Sequence, residues 1–292
     1  MTPMSRSSPH VPWTDAIARQ LEEDIAFRTS STDTQASNTK KGVDEKLTFL
    51  PSLSVDLSKL AEALYVAGRS EGMVLATLQR AHRSYLEYCD LVGDRVRTMG
   101  DAESSRINSA YLQNALFNAL LTKDMSAAVR LSEVAEGLLA NGGRDYGAEF
   151  KGLLQGLRWA LRSEPAKAAG AVQEASGGKS GAWSIYLVEV LSKKSRLKFE
   201  SLKGPLDHPL GAYAAGDLGA FTKCLQSMCD ALDLYARETV AKRKVDDIAI
   251  AQTMTWSREA TAYLALGRLK GWDLAIEHYS LGRTLLDASP AA

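Results

Sequence analysis

Gly178-Lys179-Ser180 matches the end of the phosphate-binding pattern GxxxxGK[ST], in which backbone N–H groups cradle phosphates and the lysine reaches them. That pattern needs a glycine at position 173, where Gln173 stands, and a preceding strand, which is missing. SGGKSG (176–181) therefore reads as a turn between helices. The four histidines, His10, His82, His208 and His278, form no HExxH motif and no i, i+4 pair, so no local zinc site is implied. His82 lies on an apolar stripe and reads as a core or boundary residue. Cys224 and Cys229 are five apart on one expected helix, rotated by about 500°, so they do not share a face. Nothing beside them except Lys223 would activate a thiol. With Cys89 they read as small buried apolar residues. In the carboxylate runs Glu22-Glu23-Asp24 and Asp246-Asp247, neighbouring side chains diverge by about 100°, so neither forms an acid/base dyad. Asp246-Asp247 suits a helix start. These residues describe a chain that is not an enzyme and takes no cofactor.

Two basic clusters remain, Lys193-Lys194-Ser195-Arg196-Leu197-Lys198 and Lys242-Arg243-Lys244. Cations at a helix end answer the negative end of the dipole. They also make a docking rim for an acidic partner, and Lys193, Lys194, Arg196 and Lys198 are the expected partner-binding residues. Nucleic acid is not the expected partner: Lys+Arg and Asp+Glu are both 35, and the aromatics, 7% of the chain, are not interleaved with the basic residues. Trp159, Trp183, Trp256 and Trp272 lie on helical stripes and are expected in the core.

The same composition bounds the class. Three cysteines without CxxC spacing fit a reducing compartment better than a disulfide framework. MTPMSRSSPHVPWTDAIARQLEED lacks an apolar signal region, and no apolar run approaches about 18 residues. A cytoplasmic protein without membrane contact is expected.

The elements that must carry these residues repeat. NALLTKDMSAAVRL (118–131), RWALRSEPAKAAGAV (158–172), GAYAAGDLGAFTKCL (211–225) and TAYLALGRLKGWDLAIEHY (261–279) each join an apolar helix through a short polar break to a second helix. Hydrophobic content of 45% supports a sizeable core. The expected fold class is all-α, with tandem antiparallel helical hairpins in a tetratricopeptide-like solenoid or curved bundle. Residues 1–46 are expected as an N-terminal helix (13–27) followed by a mobile polar linker (28–46). Residues 47–292 are expected as a single helical-hairpin domain. Within it Leu57, Leu60, Ala61 and Leu64 keep helical spacing, and GRSEG (68–72) breaks before a helix bearing Leu75, Leu78, His82, Tyr85, Leu86 and Cys89. Further helices are expected near 103–122, 125–140, 146–162, 166–175 and 182–199. After Pro209, at the start of a short helix, Asp217 caps a long one, and helices near 245–267 and 273–287 close the chain. Valine and isoleucine never alternate with polar residues over a strand length, so no sheet is expected.

HPLGAYAAGDLGAFTKCLQSMCDALDLY (208–235) and IAQTMTWSREATAYLALGRLKGW (250–272) together resemble the C-terminal part of bacterial polymorphic-toxin immunity proteins of immunity family forty-nine. The parts that match are Gly216-Asp217, Phe221, Tyr235, Ala260 to Leu266, and Gly271-Trp272. Ser257-Arg258-Glu259 stands where that family would carry a proline. The resemblance implies a cytoplasmic protein that binds a cognate toxin and neutralises it by occluding or distorting its active site, with no catalytic residues of its own. It transfers no contact residues and leaves self-association open. Two other readings stand beside it. One is a tetratricopeptide-like adaptor or peptide sensor with an open concave groove. The other is a helical enzyme whose site assembles from distant residues.

Overall fold

A computed structural model describes residues 9–11, 13–100, 103, 106–140, 148–175, 209–242 and 248–288. Among these there is no β-strand, and the fold is all-α.

Helix α1 (Asp15–Asn38) starts where Thr14 Oγ1 accepts the Ile17 N–H at 3.2 Å, and it turns Ile17 and Leu21 inward. It does not stop at residue 27. The segment expected as a mobile linker, 28–46, continues α1 to Asn38, turns over 39–42, and enters α2 (Val43–Val66). The reason is where its polar groups go. Thr29, Thr32 and Thr34 hydroxyls bond to carbonyls three or four residues back. Gln35 and Ser31 both donate to Asp56 on α2, at 2.6 and 3.2 Å. Polarity without helical period is here committed to hydrogen bonds within and between helices.

Helix α3 (Glu71–Met99) is capped by Ser70, and α4 (Ser109–Leu121) by Asn108 Oδ1, which accepts from Ala110 N and Tyr111 N. The expected start of α4 near 103 is thus six residues early: the Tyr85 hydroxyl holds the Asn108 backbone in a non-helical conformation. Then follow α5 (Met125–Ala140), α6 (Ala148–Leu161), α7 (Pro165–Ala175), α8 (Pro209–Ala215) and α9 (Leu218–Lys242). Pro165 and Pro209 occupy first helical positions, where a missing N–H costs nothing. Asp217 caps α9 by accepting the Ala220 N–H at 2.9 Å.

The expected helix over 245–267 is two: α10 (Ile248–Thr255) and α11 (Arg258–Leu269). They divide at Trp256-Ser257, where Ser257 caps α11 and its own N–H leaves the helix to reach the Ser280 carbonyl at 2.9 Å. The expected helix over 273–287 is reduced to α12 (Arg283–Asp287). Residues 273–282 form an irregular strap in which Leu274 and Ile276 are buried while Asp273, Ala275 and Glu277 are exposed. A period of two, not 3.6, governs this stretch.

Five hairpin turns share one geometry. After α2, α4, α6, α8 and α11 a residue with positive φ stands at Gly68 (68°), Lys123 (59°), Ser163 (58°), Gly216 (75°) and Gly271 (80°). In each, its N–H bonds to the carbonyl three residues back, and the next N–H to the carbonyl five back from itself. Lys123 N to Leu120 O and Asp124 N to Ala119 O are one pair, at 3.1 and 3.0 Å; Gly271 N to Arg268 O and Trp272 N to Gly267 O are another, at 2.9 and 3.2 Å. This is the Schellman closure, which satisfies the last orphan carbonyls of a helix.

Sequence neighbours from α1 through α7 pack on one another, antiparallel: Arg69 at the end of α2 pairs with Glu22 near the start of α1, and Arg95 at the end of α3 with Asp44 at the start of α2. The C-terminal helices then return. Helix α11 packs on α4 and α9, α10 on α2, and α12 on α3. Trp256 stacks on Tyr65 of α2 at 4.5 Å between centroids, and Tyr263 meets Phe117 of α4 edge-on at 5.6 Å. Arg258 donates to Asn114 at 2.8 Å and lies 3.5 Å from Glu62. The face of α2 and α4 that an open solenoid would leave for a ligand is covered by the chain itself. A smaller core of Val11, Ile17, Leu232, Ala236, Ala251 and Met254 ties residues 9–17 to α9 and α10. No described helix is long and apolar enough to cross a membrane.

Candidate functional site

Lys193, Lys194, Arg196 and Lys198 lie outside the described residues, as do SGGKSG, Trp183, His208, Asp246-Asp247, Arg243-Lys244 and the side chain of Tyr235. The other residues singled out by type can be placed. Glu22 pairs with Arg69 and Asp24 with Arg28, so these carboxylates serve separate partners. Cys89, Cys224 and Cys229 are all buried. Burial pushes the Cys89 thiol well up and the Cys229 thiol up to about 12, the opposite of what a nucleophile needs. His82 is buried, with Nε2 3.2 Å from Asp124 Oδ2 and Nδ1 3.5 Å from the Thr122 hydroxyl. Burial lowers its pKa against the upward pull of Asp124. It joins α3 to the α4–α5 turn.

The residues of the C-terminal motif converge. Phe221 and Trp272 meet edge-on at 5.1 Å, and Tyr213 lies 5.7 Å from Trp272. The Lys270 ammonium rests 4.6 and 5.1 Å from the Tyr213 and Trp272 rings and donates to Tyr213 O. Ala260 to Gly267 are all buried. Gly267 is required there, because a Cβ would stand 2.6 Å from Leu274 Cδ1 and 2.9 Å from Phe221 Cε1.

With that geometry in place, the chain was compared with family models, curated proteins and solved structures, and it matches none of them.

Sequence spacing missed a second convergence. His10 Nε2 lies 2.7 Å from Asp233 Oδ1, and the His10 ring stands edge-on to Tyr279, 6.1 Å away. Tyr279 in turn stacks on His278 at 4.3 Å. His278 Nδ1 is 2.7 Å from Ser280 Oγ and accepts the Ser280 N–H at 3.2 Å. Serine, histidine and aspartate here are not a relay: Asp233 bonds His10 and Arg237, and Ser280 is fully buried. No three His, Cys, Asp or Glu side chains among the described residues converge to hold a metal ion.

A groove of about 640 Å³ runs between α3 and α5. Leu86, Cys89, Gly93 and Val134 contribute to its lining. Arg130 on α5 reaches both oxygens of Asp90 on α3, each at 2.8 Å. Arg97 pairs with Asp94 along α3, and Glu133 with Arg162 in the turn after α6. Gly93 sits inside a 29-residue helix, where glycine costs about 1 kcal/mol relative to alanine. A Cβ there would meet only Arg97 Nη1, at 3.9 Å. Nothing described inside the molecule requires a glycine at 93. The groove had no signal in sequence, because its lining comes from two helices with no shared motif.

Proposed function

We propose that this chain is a protein-binding module whose partner is a bacterial toxin domain, which it neutralises by occlusion. The observation that carries the reading is the α3–α5 groove, an apolar trough bordered by charges of both signs with a glycine in its lining. A partner helix or loop can approach the backbone closely at Gly93, and the paired rims can re-pair with its charges. The toxin as partner rests on the resemblance of residues 208–235 and 250–272, in which Phe221 meets Trp272 and Ala260 to Leu266 are buried. Occlusion asks for no catalytic group. It asks for tight binding, about −12 kcal/mol for a nanomolar complex, concentrated in a few desolvated anchors. Lys193, Lys194, Arg196 and Lys198 are the steering rim in this reading. An adaptor that reads peptides along a concave face is less well supported, because Trp256 and α11 lie on that face.

The test is co-expression with the product of the neighbouring gene in a sensitive host. The parent protein should protect and co-purify in fixed stoichiometry. Gly93→Trp, which fills the groove, should lose protection while keeping its helical circular dichroism. Reversal of the four basic residues to glutamate should slow association. Protection by Gly93→Trp equal to the parent removes the groove from the reading, and no binding by the parent removes the toxin.

A further inference from the structure

The strap 273–282 lays Leu274 and Ile276 into the core without helical structure of its own. Leu274 and Phe221 both crowd the face of Gly267, Leu274 the more closely. At the far end the turn 278–282 clamps the α10–α11 junction. Ser280 O accepts from Ser257 N at 2.9 Å, and Gly282 N donates to Thr261 Oγ1 at 3.1 Å. The Trp256 indole N–H donates to the same Thr261 oxygen at 3.0 Å. This turn closes on one unprotonated nitrogen. The Ser280 backbone N–H can only donate, so His278 Nδ1 must accept and must carry no proton.

We propose that His278 is an acid-sensitive fastener for the C-terminal strap. The proton that binds goes to Nδ1. The Ser280 hydroxyl, 2.7 Å away, can rotate to accept it, but the Ser280 backbone N–H loses its acceptor inside the protein, where an unmet donor is costly. The turn opens, the Ser257 and Gly282 links weaken, and Leu274 lifts from Gly267. Tyr279 moves with the turn and carries its contact with His10.

The groups that face His278 set the balance. From α9 come Cys229, bonded to Ser280, the carboxylates Asp230 and Asp233, and Arg237 on Asp233. From the N-terminal segment comes His10, paired with Asp233, and from the strap itself Tyr279. The two carboxylates favour a proton on His278; burial and the neighbouring His10 oppose it, and burial is the larger, so the pKa is lowered. The fastener therefore holds at neutral pH and releases only on acidification below the ordinary histidine range.

Amide hydrogen exchange on the full chain between pH 7.5 and 5, corrected for intrinsic rates, tests this. Peptides containing Ser280 and Gly282 should lose protection by about tenfold in acid, while those from α2 and α3 stay unchanged. His278→Gln, which keeps an acceptor that does not titrate, should hold the strap across the range. His10→Gln should leave the acid response of the strap in place, and Asp233→Asn, which removes a carboxylate that favours the proton, should move that response to lower pH. An acid response that survives in His278→Gln, or that vanishes in His10→Gln, overturns the assignment, as does a parent strap that stays protected at pH 5.

Discussion

Asp124 serves two elements at once: its Oδ1 accepts the Ala127 N–H at 3.1 Å as the cap of α5, while its Oδ2 meets buried His82 of α3 at 3.2 Å. Arg83 stands 3.8 Å from the same oxygen. One carboxylate therefore fixes both where α5 begins and how the α4–α5 turn sits on α3. Replacing Asp124 with alanine should cost about 2–3 kcal/mol, since it removes a cap and strands a buried imidazole. Urea denaturation at pH 7 measures it. Burial pushes the Asp124 carboxyl up, but the bonds from Ala127, Ser126 and His82 outweigh it, and its pKa is lowered. Its contribution is then present above the ordinary aspartate range and lost as pH falls through the lowered value. Asp124→Ala should accordingly flatten the acid limb of the stability profile.

Lys123 and Ser163 hold left-handed backbone that the other three turns give to glycine. Lys123→Gly and Ser163→Gly should each stabilise by about 0.5–1 kcal/mol, because the turn stays closed and the strain goes. Gly271→Ala should do the reverse, by about 1 kcal/mol. A loss of stability in either glycine variant refutes the idea that these residues are strained. Thermal midpoints read all three.

Gly267→Ala places a methyl 2.6 Å from Leu274 and 2.9 Å from Phe221. Overpacking of this kind costs about 1–3 kcal/mol. The strap is the softer side, so exchange protection should fall at Leu274 and Ile276 before it falls within α9.

Glu259 keeps its carboxyl surrounded by protein, and burial pushes its pKa up to about 7 against the pull of Arg258. A raised carboxyl pKa stabilises the fold fully below the unfolded value, near 4.5, and the contribution is lost as pH rises through about 7. Glu259→Gln, which cannot ionise, should therefore gain about 2 kcal/mol over the parent at pH 8 and nothing at pH 4. Thermal denaturation at the two pH values gives the comparison; equal gains at both would count against the assignment.

The hairpins were legible because their breaks carry glycine, aspartate or proline where a helix must end or begin, as at Gly216-Asp217 and Glu164-Pro165. The second half of α1 was not, because Ser31 and Gln35 answer to Asp56, a residue on another helix. The strap was misread for a similar reason. Leu274 and Ile276 alternate, but the alternation is short and follows the same kind of turn that opens α3, α5, α7 and α9. His10 and His278 share a site only because the C-terminal helices return, a long-range closure that leaves no local mark. The basic cluster at 193–198 was the clearest charge signal in sequence, and it lies outside the described residues.

A turn closed wholly by main-chain bonds makes almost no demand on side-chain identity. Gly, Lys and Ser fill one position of it here, and Arg, Asp, Glu and Trp the next. Such a unit can be copied along a chain and then diverge residue by residue while every copy keeps its shape. What persists is a spacing and a backbone angle, and neither is a letter that sequence alignment can score.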